Sequence, residues 1–274
     1  MNHRKKVLAL WLGAAVLLLA GAVLTGSPGR AESVQEAMRD AVLHGANRIS
    51  LLGLKEVNPG MISALTVTGA LLAAAACIRV LVIPRFQYVP GRLQLLLEEA
   101  VGLFDRMAKT SSPHRSGFLG LYIFSAGAYI FVGTLFELLG LQAVTTAGRP
   151  ITLPAPLSDV NAAIALGCLS YLVILSGGIA GNGAGGIGKT LKEFSLPISM
   201  SFRLFGALLS GLLVTELVYY FVGLSFVLPV VVGVLFTLLH ALIQTYVLTM
   251  LTALYYGEVS EPARRERKST ARSA

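Results

Sequence analysis

Apolar positions in this chain fall in long blocks, and polar positions gather mostly in the short stretches between them. Residues 61–83, 117–141 and 160–180 carry at most one charge apiece. About 20 mostly apolar residues in helical form cross the hydrocarbon core of a bilayer, so each block predicts one membrane helix. Two further blocks, 196–222 and 229–256, predict long C-terminal helices with polar residues set into apolar faces. A sixth apolar run, Val7 to Leu24, follows the basic start Arg4, Lys5 and Lys6. Residues 1–31 therefore read as a signal peptide or an uncleaved signal anchor, and either puts residues 32–60 outside the cytoplasm. In that extracytoplasmic segment Val34, Met38, Val42 and Ile49 recur at near-helical spacing and predict an amphipathic helix on the outer face. Residues 90–108 alternate apolar and charged positions in helical period, which predicts a helix lying on the inner membrane surface. Glu98, Glu99, Asp105 and Arg106 form its solvated face.

The pattern as a whole predicts an all-α integral membrane protein with about five to six membrane helices and one amphipathic surface helix. Residues 61–115 hold the first sure transmembrane helix and the surface helix. Residues 116–257 hold a helical hairpin, 117–180, and the two long helices, and 258–274 form a basic tail. Composition agrees, since 55% of the 274 residues are hydrophobic and only 13% charged, where soluble domains carry about 25% charged residues. The net charge of +8 is spread over four patches: Arg4 to Lys6, the stretch from Arg79 to Arg115, Lys189 with Lys192, and the tail from Arg264 to Lys268. All four fall on one side of the predicted spans. That is the positive-inside pattern of a multi-pass cell-membrane protein with a cytoplasmic tail, and it calls for no nucleic acid. Cys77 and Cys168 lie inside apolar runs and suit neither a metal site nor a disulfide framework.

Within the apolar blocks, one cation stands out. Arg203 sits near the start of 196–217, and an arginine at a membrane helix centre costs about 2.5–3.5 kcal/mol on insertion scales. Its guanidinium cannot escape by losing a proton. Gly206, Ala207, Ser210 and Gly211 follow it and allow another helix to approach closely. Two readings are open: a cation that snorkels to headgroups, or a fixed charge on a packing surface. The last block bears on the choice, because Thr237, His240 and Gln244 recur at three and four residues and share one helical face. Polar faces on two membrane helices meet each other or a water-filled path rather than lipid.

Two stretches resemble subunit a of the rotary F-type ATP synthase membrane sector. Residues 197–206, Pro-Ile-Ser-Met-Ser-Phe-Arg-Leu-Phe-Gly, resemble its arginine motif, and residues 243–252, Ile-Gln-Thr-Tyr-Val-Leu-Thr-Met-Leu-Thr, its glutamine motif. Pro154-Ala-Pro-Leu-Ser-Asp159-Val-Asn161 is similar to a third signature, and Glu137-Leu-Leu-Gly sits where members often read Asn-Leu-Leu-Gly. The resemblance runs from Pro84 to Tyr256. It implies a non-catalytic stator subunit with no cofactor, partnered by c-ring rotor subunits, peripheral stalk b-type subunits and membrane lipid. Two aqueous half-channels would pass H+, or Na+, to and from the ring. Arg203 would attract each arriving ring carboxylate and block direct passage between the half-channels, and Gln244 would orient it. Ser195, Ser199, Ser201 and Ser210 would help hydrate the surface. Gly206, Ala207, Ser210 and Gly211 would face the rotor. Glu137, Asp159 and Asn161 would line the outer path, although for Glu137 an interfacial glutamate is an equal reading.

Three positions depart from the family pattern: Ala207 replaces Asn, Leu212 a half-channel Glu, and Thr237 a Glu or His. Glu216 and His240 each lie one helical turn away from a missing group and are expected to replace it. For His240 a helix–helix hydrogen bond stands beside the relay reading. Outside the resemblance, Gly183-Ala-Gly-Gly-Ile-Gly-Lys-Thr190 matches the phosphate-loop pattern G-x-x-x-x-G-K-S/T. It lacks the preceding strand, and Pro197 follows within seven residues, so a flexible inner-side turn is expected instead. The competing functional classes are a self-contained channel or secondary transporter, for which no internal repeat is found, and a nucleotide-binding membrane protein.

Overall fold

The computed structural model describes residues 11–13, 16, 17, 20, 49–51, 54–146, 150–220 and 233–261. Asn58 opens the first long helix, α1 (Pro59–Cys77), by accepting the Gly60 N–H on its side-chain oxygen at 2.9 Å. Pro59 follows at the first helical position, where its missing N–H costs no helix bond. The helix runs on through a π turn (Ile78–Val82) and a 3-10 turn (Ile83–Arg85), making one apolar rod of 27 residues. After α2 (Arg92–Ser111) comes α3 (Ser116–Phe136), which closes in a 3-10 turn (Glu137–Leu139) and Gly140 at φ +58°. Glycine adopts that left-handed backbone without a steric penalty. The remaining helices are α4 (Val160–Asn182), α5 (Ala184–Lys192), α6 (Ser195–Tyr220) and α7 (Leu238–Ser260), with a π turn (Gly233–Thr237) leading into the last.

Among the described residues four helices are long and apolar enough to cross a membrane. Helix α5 and the Ser195–Gly211 part of α6, bent by 49° at the break between them, make a fifth candidate when taken as one span. The expected spans at 61–83, 117–141 and 160–180 thus correspond to Pro59–Arg85, Ser116–Leu139 and Val160–Asn182. The predicted sixth run, Val7 to Leu24, lies mostly outside the described residues, as do Val34, Met38, Val42, residues 221–232 and the tail beyond Glu261.

Two expectations are corrected. Ile49, taken as part of an outer amphipathic helix, belongs to strand β1 (Ile49–Leu51), paired antiparallel with β2 (Leu54–Val57). It is buried with Val67, Phe136 and Leu153, so tertiary packing outweighs its helical spacing. The second correction is the glycine-rich stretch, which is the helix α5 and not a flexible turn. Between α3 and α4 a further short hairpin, β3 (Gln142–Val144) with β4 (Pro150–Thr152), occupies what read as plain loop.

The core joins α3, α4, α6 and α7 through Leu119, Ile123, Ile130, Ile174, Met200, Leu204 and Leu248. Lipid tails are as apolar as these side chains, so membrane helices associate by close fit rather than by escape from water. Glycines supply that fit. Gly127 faces the Phe104 ring, Gly177 faces the Tyr256 ring, and Gly167 lies directly against Ser201 and the Pro197 carbonyl. At one end of the bundle Asn182 donates to the carbonyls of Val259 at 2.9 Å and Glu261 at 2.8 Å. There the Ser112 and Ser260 hydroxyls share a hydrogen bond at 3.2 Å. At the opposite end the Asn58 amide donates to Asp159.

Candidate functional site

The site grows from the way α6 buries one of its sides. Leu196, Met200, Leu204 and Leu208 repeat every four residues and pack into the core. The same 3.6-residue period carries Ser199, Arg203, Gly206 and Ser210 to an exposed stripe. Among the described residues Arg203 has neither an ion-pair nor a hydrogen-bond partner, and nothing stands within 4 Å of a Cβ built on Gly206. Ser210 donates to the Ala207 carbonyl at 2.8 Å. Ser201, expected to hydrate the surface, instead is buried against Gly167 and donates to the Pro197 carbonyl at 2.6 Å. Pro197 is the third residue of α6, inside the first turn, where a missing N–H breaks no helix bond. Arg203 looked close to a helix start in the sequence. With α5 leading into α6, it lies 19 residues beyond Ala184, well within the length of the broken helix.

On α7 the buried stripe runs Ala241, Gln244, Leu248 and Thr252. Gln244 is therefore an inward-facing residue, 7% exposed, and it makes no hydrogen bond with Arg203. Its neighbour Thr245 has a buried hydroxyl without a hydrogen-bond partner among the described residues, while its methyl group faces Gly127. His240 is half-buried, with Nδ1 2.8 Å from the Phe236 carbonyl and its ring stacked on Phe236 at 5.2 Å. A carbonyl only accepts, so Nδ1 carries a proton and donates it, and Nε2 is the ring nitrogen left for another partner. Glu216 is described only as a helical position of α6, and its side chain, like that of Leu212, lies outside the described residues.

Glu137 and Asp159 occupy the end of the bundle where α3 finishes and α4 begins. Leu138, beside the half-buried Glu137, is the near neighbour of Gly233, so the Glu137 turn meets the π turn that leads to His240. Asp159 caps α4, accepting the Asn161 N–H at 2.7 Å on one oxygen and the Asn58 amide on the other. Asn161 itself is exposed. The structure thus gathers Glu137 with the approach to His240, sets Asp159 and Asn161 at the α4 cap, and sends Gln244 inward while Arg203 points outward.

The sequence model of the ATP synthase A chain family matches residues 61–257. The chain belongs to the ATP synthase A chain family. Relatives named "ATP synthase subunit a" from two strains of Cereibacter sphaeroides, ATCC 17025 and ATCC 17029, are each 29% identical over 192 residues, covering 66% of this chain and 74% of theirs. This family member is accordingly a multi-pass component of the ATP synthase membrane sector, and membership covers the bundle from α1 to α7.

The stretch that matches the phosphate-loop pattern does not have a phosphate loop's geometry. In a phosphate loop, glycine N–H groups turn towards an anion ahead of a helix. Here Ala184 to Lys192 are themselves helical, and the Thr190 hydroxyl is buried and donates to the Gly186 carbonyl at 3.0 Å. Gly186 rests on the backbone of Gly178, and the Tyr171 hydroxyl donates to the Thr190 carbonyl at 3.0 Å. Sequence reading missed the Asn58–Asp159 bond and the Gly167–Ser201 contact. An Asp directly before an apolar helical run is a cap signal, so half of the first was there to be read. The second has no local signature.

Proposed function

We propose that this chain is the stator subunit a of a rotary ATP synthase and conducts protons, with Na+ as the alternative ion, along two aqueous half-channels to and from a c-ring. The observation that carries the reading is Arg203, without a partner among the described residues, on an exposed stripe of small residues well inside the apolar helix α6. A permanent charge in that position favours the ionised form of any carboxylate brought against it. It also repels a cation trying to pass straight along the stripe. Ions must then travel by way of the carboxylates, which ties flux to rotation.

The remaining residues fit as supports. Gly206, Ala207, Ser210 and Gly211 form the packing surface for ring helices. Glu137, His240 and Glu216 serve the outer half-channel, with His240 Nε2 as the proton acceptor. The orphaned Thr245 hydroxyl beside Gln244 suits a polar path, because an unsatisfied buried hydroxyl costs about 1–3 kcal/mol. Asp159 and Asn161 flank the outer mouth, held there by the α4 cap. Arg85, Arg92, Lys109 and Arg115 lie towards the bundle end that also holds Ser260, which supports a cytoplasmic tail and contact of that end with peripheral stalk subunits.

The deciding experiment measures ion-driven ATP synthesis and passive ion leak in vesicles carrying Arg203→Ala. Synthesis is expected to vanish while leak through the membrane sector stays the same or rises. Near-normal coupled synthesis would remove Arg203 from the junction and the proposal with it.

A further inference from the structure

Where α1 ends and α2 begins, the chain folds around a cleft of about 370 Å³ that plays no part in the ion path above. Leu81, Val82, Phe86 and Leu93 give it an apolar side, and Arg85 and Arg92 a cationic one. Neither arginine has a carboxylate partner among the described residues. Further along the same helix the charges are matched, Arg106 with Glu99 at 2.5 Å and Lys109 with Asp105 at 2.6 Å. Of the cations on α2, Arg92 alone lacks a carboxylate partner among the described residues, and it sits at the cleft end.

The cleft is also braced. The Gln94 side chain accepts the Gln87 N–H at 3.0 Å and donates to the Gln87 carbonyl at 3.0 Å, which fixes the turn between the helices. Its amide donates in addition to Glu98 at 2.8 Å, which engages that carboxylate one turn beyond Gln94. Gly91 precedes α2 without a side-chain cap, so the uncapped first turn of the helix borders the same space. Beyond the apolar wall, Leu72 and Val80 stand exposed along the rod formed by α1 and its π turn, offering a track for acyl chains.

We propose that this cleft binds the headgroup of an anionic glycerophospholipid. Its phosphodiester lies between Arg85 and Arg92, and its tails run along α1. Guanidinium forks match phosphate oxygens in pairs. A span that ends in arginines beside an amphipathic helix sits at headgroup depth. Free phosphate shares the anionic chemistry but has no use for the apolar wall.

The test uses the assembled complex in phosphatidylcholine vesicles containing a trace of photo-crosslinkable phosphatidylglycerol, with adducts mapped to peptides. Labelling is expected to concentrate on residues 79–94 and to be displaced by unlabelled phosphatidylglycerol but not by added phosphatidylcholine. In Arg85→Gln with Arg92→Gln it should fall about thirtyfold, the loss expected for two basic groups at a membrane surface. In Lys189→Gln with Lys192→Gln it should not change. Equal labelling by a phosphatidylcholine probe, or equal loss in both double variants, would overturn the site in favour of diffuse surface charge. Displacement of the lipid probe by millimolar inorganic phosphate would overturn the lipid in favour of a free anion. The competition arms need only the unaltered complex, so the test survives a variant that fails to assemble.

Discussion

Asp159 can hold a helix end, carry protons, or do both, and two substitutions tell these apart. Asn keeps an oxygen for the Asn161 N–H, whereas Ala loses the cap and the Asn58 bond together. Asp159→Ala should lower stability by about 1 kcal/mol or more, read as thermal unfolding in detergent, while Asp159→Asn retains most of it. Full stability in Asp159→Asn with abolished ion-driven synthesis would assign the carboxylate to proton transfer. Gly206 offers the converse test. Nothing described lies within 4 Å of its missing Cβ, and a non-glycine residue favours a helix interior by up to about 1 kcal/mol. Gly206→Val should therefore leave the isolated chain as stable as before, yet depress ion-driven ATP synthesis in the complex. Arg203 was legible because a lone charge in an apolar run needs no context to be noticed. The burial of Gln244 was not, since which face of α7 turns inward depends on glycines of other helices, Gly127 and Gly177 among them.

At the scale of elements, α5 is the instructive case. Glycines at 185, 186 and 188 weigh against a helix, each by about 1 kcal/mol relative to alanine. The helix forms because Gly186 meets the Gly178 backbone and because Tyr171 anchors the Thr190 carbonyl. Gly186→Val should destabilise the fold by about 1–3 kcal/mol through overpacking, measured as a lowered unfolding midpoint. An ATP analogue titrated against the purified chain should give no saturable binding, because the helix already uses the amides that a phosphate would need. Long spans were readable from length alone. Strand β1 was not, because three residues of alternation around Ile49 fit a helix as well as a strand until its partner is known.

As a whole molecule, the protein is lopsided. Helices α3, α4 and α7 bury a third or more of their span residues, whereas the α1 rod buries 6% of its own. Among the described residues its first half enters the packing, through Ser63, Val67 and the partly buried Ile62 and Leu71. A lipid-soluble carbene reagent should label the lower part of α1 around its circumference in the isolated chain, but α4 only on the faces away from Ser170 and Ile174. A single labelled stripe on α1 would contradict this arrangement. The contact between Gly167 and Ser201 has a mechanical meaning at the same scale. Arg203 stands two residues from a place where the backbones of α4 and α6 press together with almost no side chain between them. A sideways push on the guanidinium acts through a short lever onto main chain rather than onto pliable rotamers. The mount of the charge is thereby stiffer than a leucine-filled joint would be, and little of the push is lost as recoil.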